Sequence, residues 1–198
     1  MQTLDREQWL TQAAHFIYDD IIAIHAPRPT DRDFRVSVGF PAGTRAGNKA
    51  IACCWASAAS ADGTNEIFVT PSLDDSREIL ASLAHELIHY SDDCQSGHKN
   101  HFARVARAIG LEGKLTATVA GADLTAKLDG YIELLGEIPH AKLDASKSGK
   151  TKQTTRMIKV ACSDCPFTFR ATRKNIDLLD TESCCPACNV GSLITEEK

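Results

Sequence analysis

The stretch "LAHELIHYSDD", residues 83–93, constrains what this chain can fold into more than any other part of its sequence. It lies in a segment whose apolar residues recur at helical spacing: Ile79, Leu80, Leu83, Leu87 and Ile88. Ser72 or Asp74 can cap the start of a helix, and acidic residues follow in its first turn. The pattern predicts a mostly buried helix from about Asp74 to Ser91.

Within this helix, His85, Glu86 and His89 form the pattern HExxH. Residues four apart lie on one face of a helix, about 6 Å from each other, so both imidazoles can bind one metal ion. Glu86 lies at the edge of that face, where its carboxylate can take a proton from a water on the metal without being a ligand. The pattern predicts a catalytic zinc site with Glu86 as general base for peptide hydrolysis. The alternative is a buried helix that happens to contain two histidines.

A catalytic zinc ion needs a third protein ligand and an open fourth position. His98 follows Gly97, which lets the chain turn back, and we expect it to open the next helix. His101 lies three residues later, near the same helix face. Glu112 is a further possibility, but it stands between two glycines rather than on a firm helix. His98 is the preferred third ligand, with His101 and Glu112 as alternatives.

Five of the eight cysteines fall in the last 37 residues. Cys162 and Cys165 form one CxxC pair, and Cys185 and Cys188 form a second pair after 19 intervening residues. Two such pairs predict a closed tetrahedral site in which zinc holds a small ribbon together. Cys184 could replace Cys185 in the second pair. The remaining cysteines, Cys53, Cys54 and Cys94, are interpreted as small core or loop residues.

The other segments predict a mixed α+β chain. Residues 4–24 have the spacing of an amphipathic helix, and the segments "KNHFARVARAIGL" and "DLTAKLDGYIELLGEI" predict two more helices. "FRVSVGF", "KAIACCWASA" and "NEIFVTP" read as strands of a small sheet, and "RMIKVAC" and "FTFRATR" as strands beside the cysteine pairs. We expect a metalloprotease-like body over residues 1–139, an exposed linker rich in Lys, Ser and Thr over 140–155, and a zinc-ribbon module over 156–198.

Charge is distributed unevenly along the chain. The net charge of −4 combines 12 Lys and Arg against 19 Asp and Glu in residues 1–139 with 10 against 7 in residues 140–198. The ribbon carries five cationic residues with Phe167 and Phe169 between them: Arg156, Lys159, Arg170, Arg173 and Lys174. Such a pattern is typical of a nucleic-acid contact, with single strands favoured. The alternative is a solvated face around the ribbon's own small core.

Two further expectations concern the setting of the protein. No apolar run reaches the roughly 18 residues of a membrane helix, and the polar start does not resemble a signal peptide. We therefore expect a cytoplasmic protein that has no membrane partner and acts as a monomer, close to nucleic acid if the ribbon binds it.

The motifs together resemble the SprT-like metalloprotease family, in the branch that carries a C-terminal zinc ribbon. The resemblance rests on "HELIHYSDDCQSGHKNHFARVARAIGL", followed by the CxxC and CPxC pairs, with His98 four residues before Phe102. It implies a zincin-like minimal metalloprotease domain, with His85, His89 and His98 on the catalytic zinc. It also implies action on DNA-associated or DNA-crosslinked proteins. The loop between His89 and His98 is short compared with the Spartan type of this family.

The sequence therefore predicts a zinc-dependent endopeptidase with one catalytic and one structural zinc ion. A second hypothesis is a non-enzymatic nucleic-acid-binding or transcription-associated protein whose HExxH zinc is structural. That second hypothesis requires a fourth protein ligand, for which His101 and Cys94 are the nearby residues.

Overall fold

The computed structural model describes residues 4–41, 50–144, 147, 157–179 and 184–196, and the chain divides into two compact units, residues 1–148 and 149–198. Both units mix helices with small sheets, so the α+β prediction is confirmed. Within the described ranges, every helix is too short or too polar to cross a bilayer.

Unit one begins with helix α1, Arg6–Ile17. Asp5 caps it, because its carboxylate accepts the Gln8 N–H at 2.8 Å while the Gln8 side chain accepts the Asp5 N–H at 3.0 Å. The helix continues through a wider π-helical turn, Tyr18–Ile22. The predicted amphipathic helix extends to residue 24, but Ile24, which has the spacing of its apolar face, is 75% exposed. The wider turn changes the phase of the helical pattern just before this residue.

A three-stranded sheet packs against the helices of unit one. Strand β1, Phe34–Val38, runs parallel to β3, Asn65–Val69, and β2, Ala52–Trp55, runs antiparallel to β3 on its other side. Side chains alternate between the two faces of each strand, so Ile67 is buried while Phe68 points to the opposite face. Among the described residues β2 pairs only with β3, and it is therefore an edge strand of this sheet.

Helix α2, Ser76–Ser91, carries the HExxH residues. Its cap is Asp75 rather than Ser72 or Asp74, since the Asp75 carboxylate accepts the Glu78 N–H at 2.9 Å. The apolar residues that predicted the helix are all buried in the core of unit one: Ile79, Leu80, Leu83, Leu87 and Ile88. The predicted helix is correct to within two residues at its start.

Two further helices and a hairpin complete unit one. Helix α3, Asn100–Ile109, ends at Gly110, whose φ of 90° is in the left-handed region that glycine tolerates. Strands β4, Leu111–Lys114, and β5, Ala117–Ala120, form an antiparallel hairpin, and α4, Ala122–Leu135, follows it. His98 lies in the turn before α3 and not in its first turn, so the expectation that it opens the helix is wrong.

The chain after α4 returns to the surface of unit one. Leu143 N–H donates to Pro71 O at 2.7 Å, and His140 Nε2 lies 3.0 Å from the same carbonyl. The predicted linker, residues 140–155, thus begins with residues bonded to the body. Most of that linker lies outside the described residues.

Unit two is a small sheet with a short helix. Strand β6, Ile158–Cys162, lies between β7, Thr168–Ala171, and β8, Leu193–Glu196, and both pairings are antiparallel. A short helix, α5, Arg173–Ile176, follows β7 and is capped by Thr172. Of the three strands in the described part of this unit, β6 and β7 were predicted and β8 was not.

Candidate metal centres

Three imidazoles converge on one point in unit one. Nε2 of His98 lies 3.2 Å from Nε2 of His85 and 3.3 Å from Nε2 of His89. A tetrahedral zinc ion with Zn–N bonds of about 2.05 Å separates its ligand nitrogens by about 3.3 Å. The spacing therefore fits a tetrahedral metal ion, and the three histidines could hold one.

The local fold explains why the three rings meet. His85 and His89 lie one turn apart on α2, and the turn before α3 brings His98 back over them. Phe102 on α3 is fully buried beneath the group, with its ring centroid 4.5 Å from that of His89 and 4.7 Å from that of His85. The aromatic ring gives the histidines an apolar support on the protein side.

Thr118 on β5 contacts Nδ1 of His85, the ring nitrogen that points away from the centre of the three imidazoles. Its hydroxyl lies 2.8 Å from Nδ1 of His85. When Nδ1 carries the proton and donates it to Thr118, the lone pair of Nε2 points at the centre of the group. The contact is therefore compatible with the tautomer of His85 that can bind a metal ion, and it restrains the orientation of the ring.

The electrostatics of the group favour neutral imidazoles. Burial, followed by the neighbouring His89 and His98, lowers the pKa of His85 to about 3. Burial also lowers the pKa of His89 to about 4, with His98 as the second cause. Metal binding requires deprotonated histidine, so these two ligands are in the required state throughout the neutral pH range.

Glu86 lies in the same cleft and is 8% exposed. Burial raises the pKa of its carboxyl group to about 7, while a backbone hydrogen bond from Cys54 acts in the opposite direction. A carboxyl group with a pKa near neutrality can both accept and return a proton. That hydrogen bond also fixes the carboxylate against β2.

The histidines open onto a cleft of about 430 Å³ between β2 and the β4–β5 hairpin. The backbone of β2 is available along this cleft. Ile51 O accepts the Thr70 N–H at 2.8 Å, so residue 51 bonds toward the β3 side of the sheet. Because pairing alternates along an antiparallel strand, the N–H and C=O groups of Ala52 and Cys54 point away from β3. The Cys54 N–H donates to the Glu86 carboxylate, and Cys54 O accepts the thiol hydrogen of Cys94.

The alternative third ligands lie elsewhere. Nε2 of His101 is 2.8 Å from Ser91 Oγ, and its Nδ1 is 3.3 Å from an Arg104 nitrogen. Glu112 is on β4, where its carboxylate lies against Gly121. Cys94 donates its thiol hydrogen to Cys54 O at 3.6 Å. Within the described part of the chain, none of these joins the three histidines.

A network around Asp93 fixes the loop that carries His98. The Asp93 carboxylate accepts the Ser57 N–H at 2.7 Å, the Ser57 hydroxyl at 3.0 Å and the Asn65 amide at 2.9 Å. Asn65 is fully buried and also donates to Trp55 O at 2.8 Å. Asp93 itself has a φ of 55°, a conformation that Asp tolerates better than most residues. The loop is thereby tied to the ends of β2 and β3.

The second centre is formed by cysteines in unit two. Sγ of Cys162 lies 3.7 Å from Sγ of Cys188, and Sγ of Cys165 lies 3.6 Å from Sγ of Cys185. Zinc bound to four thiolates at about 2.3 Å separates the sulfurs by about 3.8 Å. The four cysteines therefore fit a tetrahedral ion and could hold one.

Backbone groups support the four sulfurs. The N–H groups of Asp164, Ala187 and Gly191 lie within 3.3–3.4 Å of the sulfurs of Cys162, Cys185 and Cys188, respectively. Backbone hydrogen bonds from Gly191 and Val190 lower the pKa of the Cys188 thiol to about 6. A Cβ at residue 191 would lie 2.3 Å from the Cys162 sulfur, so only glycine fits there.

Cys184 takes no part in the second centre. It is exposed and forms an isolated bridge with Ser192, while Cys185 is buried and joins the other three thiols.

The cationic residues of the ribbon are separated from its aromatic rings. Lys159 and Arg170 are partners in the β6–β7 register, and Val160 pairs with Phe169. Neighbouring residues on a strand point to opposite faces, so Lys159 and Arg170 share one face and Phe167 and Phe169 the other. The two aromatic rings lie 5.9 Å apart and are half-buried. This arrangement differs from the interleaved surface that the sequence suggested.

Two of the remaining cationic residues belong to the short helix. Arg173 and Lys174 lie on α5 and are exposed. Arg156 lies outside the described residues.

Sequence reasoning missed Thr118, Asp93 and the contact between Cys54 and Cys94. The segment "LTATV", residues 115–119, alternates β-branched and small residues and could have indicated a strand near the site. Asp93 gives no comparable signal, because its partners Ser57 and Asn65 are distant in the sequence.

Comparisons with known proteins do not identify a family for this chain. The chain matches no family model, no curated protein and no solved structure. Its two centres are interpreted from their own geometry.

Proposed function

We propose that this chain is a zinc-dependent endopeptidase of the zincin type, similar to the SprT-like metalloproteases. One observation carries the proposal: three histidines fit a tetrahedral ion, and a buried glutamate with a raised pKa lies in the same cleft. Among the described residues no fourth His, Cys, Asp or Glu joins the group. A ligand position is thus left for water or substrate, as catalytic zinc sites require.

Each residue has a defined task in this proposal. His85, His89 and His98 would hold the ion, which when bound supplies a Lewis acid for water and for a peptide carbonyl. Glu86 accepts the proton of the attacking water on a carboxylate oxygen and returns it to the leaving amine. The Cys54 N–H keeps that carboxylate oriented, and Thr118 keeps the His85 ring oriented.

The edge strand β2 provides a way to bind the substrate. The outward N–H and C=O groups of Ala52 can pair with an extended peptide, which would then lie along the cleft beside the histidines. Main-chain pairing is insensitive to side-chain identity. We therefore expect weak sequence preference and a requirement for an unfolded or extended segment.

The four cysteines would hold a structural zinc ion, since four thiolates leave no position for substrate. Unit two also presents Lys159, Arg170, Arg173 and Lys174, whose charges suit phosphate contact. With the resemblance to SprT-like proteins, this supports action on DNA-associated or DNA-crosslinked proteins. The separation of cations and aromatics favours backbone contact over base stacking.

The test is cleavage of a DNA-binding protein, and of the chain itself, by the zinc-loaded protein with and without single-stranded DNA. Glu86→Gln removes the proton acceptor but keeps the shape of the side chain, so it should keep both metal ions and lose cleavage. Glu112→Gln is the matched control, because Glu112 is exposed on β4 outside the histidine group.

The outcomes separate the hypotheses. Cleavage by wild type and Glu112→Gln only when DNA is present supports a DNA-dependent peptidase. Equal cleavage without DNA keeps the peptidase and removes the DNA role. Equal activity in Glu86→Gln contradicts the proposed mechanism. Absence of cleavage by a protein that binds two zinc ions favours the non-enzymatic nucleic-acid-binding alternative.

A further inference from the structure

Two cysteines from different segments meet at the rim of the histidine cleft. Cys54 on β2 is paired in register with the buried Ile67, so its side chain lies on the face of the sheet that packs on α2. Cys94 lies in the loop after α2 and donates its thiol hydrogen to Cys54 O at 3.6 Å. Cys54 donates its own thiol hydrogen to Trp55 O at 3.7 Å, and the two thiols are close enough to affect each other's ionisation.

The backbone around Cys94 holds this sulfur in place. Cys94 N–H donates to His89 O at 2.8 Å, and the neighbouring Asp93 is bonded to Ser57 and Asn65. Cys94 has a φ of 61°, which is costly for a residue with a side chain and persists only where the surroundings impose it. The surrounding contacts therefore hold Cys94 in a strained backbone conformation that places its thiol beside β2.

Both cysteines line a cleft that a small molecule can enter. Cys54 and Cys94 line the cleft of about 430 Å³ together with Glu86, and both are partly exposed. A cleft of this volume admits a small hydroperoxide. Neither cysteine belongs to the four-cysteine centre or to the histidine group.

We propose that Cys54 and Cys94 form an oxidation site at which a hydroperoxide converts two thiols into a reversible disulfide. The first sulfur attacks the terminal oxygen of the hydroperoxide, the O–O bond breaks, and an alcohol (or water, from hydrogen peroxide) leaves. The second sulfur then displaces hydroxide from the resulting sulfenic acid, which departs as water with the second thiol proton. Overall, two thiols and one hydroperoxide give one disulfide, one alcohol and one water.

The disulfide would join two segments that shape the histidine centre. Cys54 belongs to the edge strand whose N–H contacts Glu86, and Cys94 belongs to the loop that ends at His98. Cross-linking them restrains the movement of His98 away from α2. Metal held by the histidines should consequently leave more slowly after oxidation. This consequence concerns metal exchange and stands apart from the proposed peptidase activity.

The test uses the full chain loaded with zinc at both centres and treated with hydrogen peroxide. Remaining thiols are alkylated, and peptides are mapped by mass spectrometry without reduction. We expect a peptide pair linked through Cys54 and Cys94, two hydrogens lighter than the separate peptides, which dithiothreitol releases. Chelator-driven release of metal from the histidine centre should slow in the same samples and recover after reduction.

Matched variants identify the pair. Cys53→Ser should keep the linked peptides, because Cys53 pairs with Phe68 and belongs to the opposite face of β2. Cys54→Ser and Cys94→Ser should each abolish them and the change in metal release. The proposal is overturned if peroxide oxidises the ribbon cysteines while Cys54 and Cys94 remain open to alkylation. A link through Cys53, or separate sulfinic acids without a link, would overturn it equally.

Discussion

The hydroxyl of Thr118 lies 2.8 Å from Nδ1 of His85, whose Nε2 belongs to the converging group of three imidazoles. Thr118 comes from the β4–β5 hairpin and His85 from the middle of α2. A candidate metal ligand is thus oriented by an element that lies on the other side of the cleft. The hairpin therefore shapes the cleft and also prepares His85 to bind a metal ion.

Thr118→Val should weaken zinc binding at the histidine centre by roughly tenfold, because outer partners of this type typically contribute 10–100-fold to metal affinity. Valine keeps the branched shape and removes only the hydroxyl. Zinc affinity is measured by competition with a chromogenic chelator. Thr116→Val is the control, since Thr116 lines the same cleft and is exposed. Equal losses in both variants would assign the effect to the hairpin as a whole.

Glu86 should release a proton when the histidine centre binds a metal ion. Its pKa of about 7 means that the carboxyl is mostly protonated near pH 6, whereas His85 and His89, with pKa values of about 3 and 4, are already neutral. A nearby cation favours the carboxylate and lowers the pKa of Glu86. Wild type should therefore release about one proton more than Glu86→Gln at about pH 6.

The measurement is titration calorimetry with zinc in buffers of different ionisation enthalpy. At about pH 8.5 the Glu86 carboxyl is ionised before binding, so the difference between wild type and Glu86→Gln should vanish. A difference that persists at the higher pH would mean that another group releases the proton.

Gly191→Ala should remove metal from the cysteine centre. The added Cβ would lie 2.3 Å from the Cys162 sulfur and 2.7 Å from an Asp164 carboxylate oxygen, so the knuckle must open. In a cobalt-substituted sample of this variant, the loss of metal should be measured as a fall in the cobalt–thiolate absorption. Gly130→Ala is the control, because no atom lies within 4 Å of its added Cβ on α4. That variant should keep cobalt and gain about 0.5–1 kcal/mol in unfolding free energy.

Local patterns in the sequence were enough to predict much of the fold. The spacing of apolar residues located α2, and HExxH placed His85 and His89 on one of its faces, because both depend only on helical geometry. The CxxC pairs likewise predicted four thiols that lie together, since each pair forms a local knuckle.

Contacts between distant segments could not be derived in this way. His98 was preferred over His101 from the turn that Gly97 allows, helix-face geometry and resemblance. Its place beside α2, however, depends on the Asp93 network, which joins residues 28 and 36 positions apart. Cys54 and Cys94, which belong to no CxxC pair, were interpreted as small core or loop residues. Their meeting at the cleft follows from the packing of β2 on α2, which no local pattern encodes.

Asp93→Ala should loosen the loop that carries His98 and weaken both folding and metal binding. The substitution leaves the Ser57 N–H and the Asn65 amide without their acceptor, and Asn65 is fully buried. Leaving buried donors unpaired costs about 1–3 kcal/mol each, and alanine tolerates the φ of 55° less well than aspartate.

We expect unit one of Asp93→Ala to unfold at a lower urea concentration, by about 2–4 kcal/mol in free energy. Zinc affinity at the histidine centre should fall as well, because His98 no longer has a fixed position over α2. Asp31→Ala is the control, since its ion pair with Arg32 is on the surface, with the Asp31 side chain 74% exposed, and should contribute less than about 1 kcal/mol. Asp93→Asn keeps one acceptor oxygen and a residue that tolerates the left-handed conformation. Its unfolding free energy and zinc affinity should therefore lie between those of wild type and Asp93→Ala. If Asp93→Ala lost stability but bound zinc as tightly as wild type, the network would hold the sheet and not the ligand loop.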